Sequence, residues 1–68
     1  MQDLVKRSVT IQGHRTSLSL EPVFWEALQQ AAVDEGKALN ALVAEIDEAR
    51  TTNLSSAIRV WLFERARG

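Results

Sequence analysis

The sequence contains no cysteine and no tyrosine, and only one histidine, one proline and three glycines in its 68 residues. Each shortage removes a class of explanation. Without cysteine there is no disulfide to staple a small chain and no thiolate for nucleophilic or metal chemistry. With His14 as the sole imidazole, the multi-ligand zinc patterns are excluded, and the reading is of a chain without metal or cofactor. No stretch approaches the eighteen or so consecutive apolar residues of a membrane-spanning helix. The opening "MQDLVKRS" lacks the apolar run and small-residue cleavage site of a secretory signal, so the expectation is a cytoplasmic protein with no membrane partner. A glycine-rich phosphate loop is absent, as is any nucleophile–base–orienter set, and the expectation is a non-enzyme.

What the chain does have is apolar content. At 46% hydrophobic residues it is too apolar to remain disordered. Its length suits one domain over residues 1–68, but chains of this size bury only about 60% of the surface that their unfolded form exposes. With disulfide and metal excluded, association with a second copy is the remaining means of stabilisation.

The net charge is −1, which argues against binding nucleic acid through bulk positive charge. Its distribution is uneven. Residues 1–20 hold Lys6, Arg7 and Arg15 against Asp3, a balance of +2, whereas residues 21–50 hold seven acids against Lys37 and Arg50, a balance of −5. Arg59, Arg65 and Arg67 against Glu64 return the last eighteen residues to +2.

Punctuation at Gly13, Pro22, Gly36 and the "TTN" of 51–53 divides the chain into a strand region and three helices, at about 22–35, 39–50 and 54–66. Pro22 suits a first helical position, Glu21 suits the positive end of that helix, and Leu20 is placed to staple onto Trp25. Phe24, Trp25, Leu28, Ala31 and Ala32 share one face of the first helix, which Gly36 ends as a left-handed cap. Leu39, Leu42, Val43, Ile46 and Ala49 share one face of the second. Asn53 or Ser55 caps the third, in which Leu54, Ile58, Trp61 and Leu62 are joined by Val60 and Phe63 on other faces. A helix apolar nearly all round meets something on its second side, and a second subunit is the economical partner.

Ahead of the helices, "RTSLSL" alternates as a strand over about 15–20, with Thr16, Leu18 and Leu20 on one face and Arg15, Ser17 and Ser19 on the other. Upstream, Val9 and Ile11 are apolar at odd positions whereas Leu18 and Leu20 are at even ones. Either "QGH" is a turn that folds "RSVTI" back as a hairpin, or Gly13 is a bulge in a longer strand. Residues 1–14 are accordingly an arm or an additional strand. Because a lone strand leaves both edges unpaired, the economical partner is the same strand of a second copy, antiparallel across a two-fold axis.

This order of parts resembles the ribbon-helix-helix repressors of the Arc and MetJ type. "RTSLSLEPVFWEALQQAA" stands as strand and first helix, and "EGKALNALVAEI" as turn and second helix. More narrowly, "KRSVTIQGHRTSLSL", "LNALVAEID" and "NLSSAIRVWL" resemble the short bacterial ribbon-helix-helix proteins that add a third helix. The resemblance implies a mainly helical intertwined homodimer, with an intersubunit antiparallel ribbon entering the major groove of double-stranded DNA, and possible higher assembly along the DNA. Carried over, the base readers are Arg15, Ser17 and Ser19. The phosphate anchor is at the second helix's start, near Leu39 and Asn40. Apart from the resemblance, Lys6 and Arg7 read either as an arm on phosphates or as an ordinary charged terminus. The family's capping Ser or Thr is replaced by Ala38, for which Asn40 is the nearest substitute. The dimer core would comprise Leu18, Leu20, Trp25, Leu42, Ile46, Ile58 and Trp61.

The implied function is a dimeric DNA-binding transcriptional regulator. The alternative is a ribbon-helix-helix dimer serving as a protein-interaction or antitoxin-like adaptor, through an acidic helix surface containing Glu45, Asp47 and Glu48. His14 reads as a turn residue, and Trp25 and Trp61 read as packing residues rather than base-stacking platforms.

Overall fold

A computed structural model describes residues 3–68; Met1 and Gln2, the first two residues of the 1–14 segment, lie outside the described residues. Strands β1 (Val5–Ile11) and β2 (His14–Leu20) precede helices α1 (Pro22–Asp34), α2 (Leu39–Ala49) and α3 (Leu54–Arg67). The strands form a two-stranded antiparallel sheet with Val5 opposite Leu20 and Ile11 opposite His14. Gln12 and Gly13 make the turn, with φ of 51° and 81°. Positive φ at both central residues gives a two-residue turn the twist that its flanking strands require.

The parity flip in the sequence follows directly from this turn. Opposite residues of an antiparallel pair share a face, and here odd residues of β1 lie opposite even residues of β2. Val5, Val9 and Ile11 therefore join Leu18 and Leu20 on the face toward the helices, where Val9, Leu18 and Leu20 are buried. His14 is the first residue of β2 rather than part of the turn. Lys6 and Arg7, expected as an arm, are internal to β1. The partner of β2 is β1 of the same chain, so the two-stranded ribbon expected between two copies is formed here within one. A two-residue connection makes that pairing local, with little loop-closure entropy to overcome.

The helices build the other side of the core. Glu21 is extended at the N-cap of α1, with Pro22 behind it, while Leu20 and Trp25 flank this start and are both buried. Gly36, at φ 66°, ends the helix: its N–H donates to the Val33 carbonyl (3.0 Å), and that of Lys37 to the Ala32 carbonyl (2.9 Å). Those two bonds are the paired closure of a Schellman cap. The Asn53 side chain accepts from the Ser56 N–H at 2.9 Å and starts α3. Trp25, Leu28, Ala31 and Ala32 of α1 meet Leu42, Val43 and Ile46 of α2 and Ile58 and Leu62 of α3 beneath the hairpin. Trp25 also ties α1 to the sheet, its Nε1–H donating to the Val5 carbonyl at 2.8 Å.

Of the seven residues assigned to a dimer core, Leu18, Leu20, Trp25, Leu42, Ile46 and Ile58 are buried within the single chain, and Trp61 is half-buried against the same cluster. The large apolar side chains left exposed on the helices are instead Val23, Val33, Val60 and Phe63. No helix among the described residues is long and apolar enough to cross a membrane.

Candidate nucleic-acid interface

The hairpin face turned away from the helices is polar throughout. Register places Thr10 opposite Arg15, Ser8 opposite Ser17 and Lys6 opposite Ser19. Five of these six residues are exposed and Ser19 is half-buried. The structure thus gathers the proposed readers Arg15, Ser17 and Ser19 on one surface and adds Lys6, Ser8 and Thr10 beside them. Ser8 and Thr10 had no individual signal in the sequence. Their place follows from the parity flip once its cause is a two-residue turn.

From Leu4 to Leu20 there is no acidic residue. Four of the five cations beyond the hairpin, in contrast, are paired with acids. Lys37 bridges Glu35 (3.3 Å) and Glu45 (2.7 Å), Arg50 meets Asp47 (2.7 Å), Arg59 meets Glu21 (3.0 Å), and Arg65 reaches Glu35 (2.8 Å) and Asp34 (3.6 Å). Hydrogen bonding to Glu45 and then Glu35 raises the Lys37 ammonium above its usual range. The Glu21 carboxyl is held below its usual range, first by its own backbone amide and then by Arg59. None of the hairpin cations Lys6, Arg7 and Arg15 has an acidic partner among the described residues. A net charge of −1 therefore conceals a hairpin whose positive charge is uncompensated locally.

Arg7 is separated from its neighbour. It lies opposite Leu18 on the helix-side register, with its guanidinium 5.3 Å from the centroid of the Trp25 ring, whereas Lys6 is on the outer face. Stacking on a tryptophan restrains that guanidinium at the flank of the hairpin.

The hairpin edges are held at two points. A two-residue turn closes on a hydrogen-bonded pair, so the outer-face pairs are the alternate ones, and their backbone groups point out of the ladder. Asn40 Oδ1 accepts from the Thr10 N–H at 3.2 Å, and Ser55 Oγ donates to the Ser19 carbonyl at 3.1 Å. Asn40 therefore does not replace the missing cap of α2; its side chain is spent on the β1 edge. Ala38 is the N-cap and supplies no side-chain bond, and the first intrahelical donor is the Leu42 N–H, to the Ala38 carbonyl at 3.1 Å. The amides of Leu39, Asn40 and Ala41 precede that bond at the positive end of the helix. Through the Asn40–Thr10 bond, this helix start lies beside the polar hairpin face.

A family model described as the ribbon-helix-helix domain matches residues 4–66. The chain belongs to the ribbon-helix-helix domain family. No curated protein and no solved structure matches it significantly. Ribbon-helix-helix domains are DNA-binding, regulator-type modules rather than enzymes. Consistent with a binding surface, the polar face of this ribbon-helix-helix chain is assembled from short hydroxyl and long cationic side chains on a two-stranded antiparallel support.

Proposed function

We propose that this protein is a dimeric DNA-binding transcriptional regulator of the cytoplasm that places the outer face of its hairpin in the major groove of double-stranded DNA. The observation that carries this reading is the acid-free face of Lys6, Ser8, Thr10, Arg15, Ser17 and Ser19, set on a chain whose helical cations Lys37, Arg50, Arg59 and Arg65 are each paired with an acid. A two-stranded ribbon fits the major groove, and arginine and hydroxyl side chains match the donors and acceptors on base edges. Arg15 is the principal reader of bases, assisted by Ser17 and Ser19. The uncapped start of α2 at Leu39 and Asn40 receives a phosphate, and Lys6 and Arg7 contact the flanking backbone. The adaptor alternative loses support because two members of its acidic cluster, Glu45 and Asp47, are neutralised by Lys37 and Arg50.

Selection of bound sites from a random duplex library tests this reading. The expected result is enrichment of an approximately two-fold-symmetric site, which the Arg15→Ala variant binds about tenfold or more weakly, matching the roughly 1–3 kcal/mol of one bidentate base contact. Indifference to duplex DNA at low salt would overturn the reading. Unchanged affinity in Arg15→Ala would remove that side chain from it.

A further inference from the structure

Each helix holds the hairpin backbone through one side chain, and the three holds are unevenly placed. Trp25 of α1 donates to the Val5 carbonyl at 2.8 Å and Ser55 of α3 to the Ser19 carbonyl at 3.1 Å. Both bonds lie at the open end of the sheet, where Val5 is opposite Leu20 and Lys6 is opposite Ser19. Burial weakens in the other direction. On β2, Leu18 and Leu20 are buried, whereas His14 and Thr16, on the same face nearer the turn, are exposed. On β1, Val9 is buried but Ile11, the last residue before the turn, is only half-buried.

Toward the turn, the one side-chain hydrogen bond from a helix to the hairpin among the described residues is made by Asn40, whose Oδ1 accepts from the Thr10 N–H at 3.2 Å. Thr10 lies directly opposite Arg15. In such a pair, outside the hydrogen-bonded rungs, the two Cα atoms are only about 4.5 Å apart, so a displacement of Thr10 is passed to the backbone of Arg15. At its other end the bond starts from the second residue of α2, among the amides of Leu39, Asn40 and Ala41 that precede the first intrahelical donor. One carboxamide therefore joins the strand pair that carries Arg15 to the helix start proposed to receive a phosphate.

We propose that Asn40 is a positioning residue for sequence reading: its bond to the Thr10 amide sets the height of Arg15 over the start of α2, so that the guanidinium meets a base edge when the helix start meets its phosphate. This rests on reading the outer hairpin face as the DNA-binding surface. Asn40 acts here through Thr10 and Arg15 and touches no base itself. Attraction to phosphates is long-ranged and changes little when a cation moves by an ångström or so. A bidentate base contact does not tolerate that movement, because its distances and angles are narrowly set. Freeing the turn half of the hairpin therefore costs sequence discrimination before it costs overall affinity. A single exposed hydrogen bond contributes little to stability, so the fold survives its loss.

The test compares affinity for the site selected from a random duplex library with affinity for random duplex, at one salt concentration, in wild type, Asn40→Ala, Arg15→Ala and the double variant. For Asn40→Ala the expected result is a fall of about fivefold or more in the ratio of the two affinities, with random-duplex binding within about twofold of wild type. Faster exchange of the Thr10 amide and unchanged helicity by circular dichroism should accompany it. In the Arg15→Ala background the same substitution is expected to lower the ratio by less than about twofold, because the contact that it positions is already gone. Asn40→Asp keeps an acceptor at the same reach. It is expected to retain slow Thr10 exchange and the wild-type ratio, while its charge beside a phosphate lowers both affinities. An unchanged ratio in Asn40→Ala, full additivity with Arg15→Ala, or an equal fall in Asn40→Asp or in Ser55→Ala, which frees only the open end, would overturn the proposal. Wild type that ignores duplex DNA at low salt would instead overturn the DNA reading, and this role with it.

Discussion

Gln12 and Gly13 adopt the same left-handed backbone at different cost. A non-glycine residue in that region is strained by about 1–2 kcal/mol through contact of its Cβ with the following carbonyl, and asparagine tolerates it better than glutamine. Neighbouring substitutions should therefore act in opposite directions. Gln12→Asn should stabilise the hairpin by a few tenths of a kcal/mol to about 1 kcal/mol. Gly13→Ala should cost about 1–2 kcal/mol, a fall in Tm of about 4–8 °C per kcal/mol in a domain of this size. A Cβ added at Gly13 meets nothing within 4 Å, so this loss would be purely conformational. Thermal unfolding of both variants beside wild type measures the two signs. At this scale the caps were legible because they are local: Gly36 and Asn53 act within three or four residues of themselves. Asn40 was not, because the amide it holds is thirty positions away in sequence.

The elements themselves were legible from periodicity, since α1 and α2 bury the faces on which their apolar residues recur. What periodicity does not convey is which strand supplies the partner of β2. Alternation assigns residues to faces, and both a hairpin and a ribbon between copies satisfy the same alternation. The tie between α1 and β1 gives the hairpin an anchor of its own. Trp25 is 2% exposed, and its indole N–H is the donor to the Val5 carbonyl at the open end of β1. Trp25→Phe keeps most of the packed ring but removes the indole donor from a carbonyl that also faces the Leu20 N–H across the ladder, at a cost of about 0.5–1.5 kcal/mol for one net hydrogen bond. It also weakens the attraction that holds the Arg7 guanidinium, because indole is the better cation–π partner. Hydrogen exchange should then show earlier loss of protection across the Val5 end of the hairpin than in α2. Uniform loss across all elements would mean that the bond supports the whole core rather than this one attachment.

For the molecule as a whole, the decisive property is the separation of compensated from uncompensated charge. Sequence position alone divided the chain into basic ends and an acidic middle, but it did not show that Glu21, Asp34, Glu35, Glu45 and Asp47 are drawn into pairs with Lys37, Arg50, Arg59 and Arg65. Those pairs bring together residues up to thirty-eight positions apart, and only the packed helices define them. The consequence is measurable in the salt dependence of duplex binding. Each phosphate neutralised releases condensed counterions, so log affinity falls with log salt at a slope of about −0.9 per phosphate contact. If the hairpin supplies those contacts, Lys6→Ala should reduce the slope by about one per protomer while affecting different duplex sequences nearly equally. Arg15→Ala, by contrast, should weaken the selected site more than random duplex, because a base contact carries sequence information that a phosphate contact does not. Arg65→Ala, which removes a cation already paired with Glu35 and Asp34, should leave the slope unchanged. Equal slope changes in all three variants would mean that DNA senses the total charge of the protein. A graded response, largest for the hairpin and absent for α3, is what a molecule of net charge −1 requires if it is to grip a polyanion through one face.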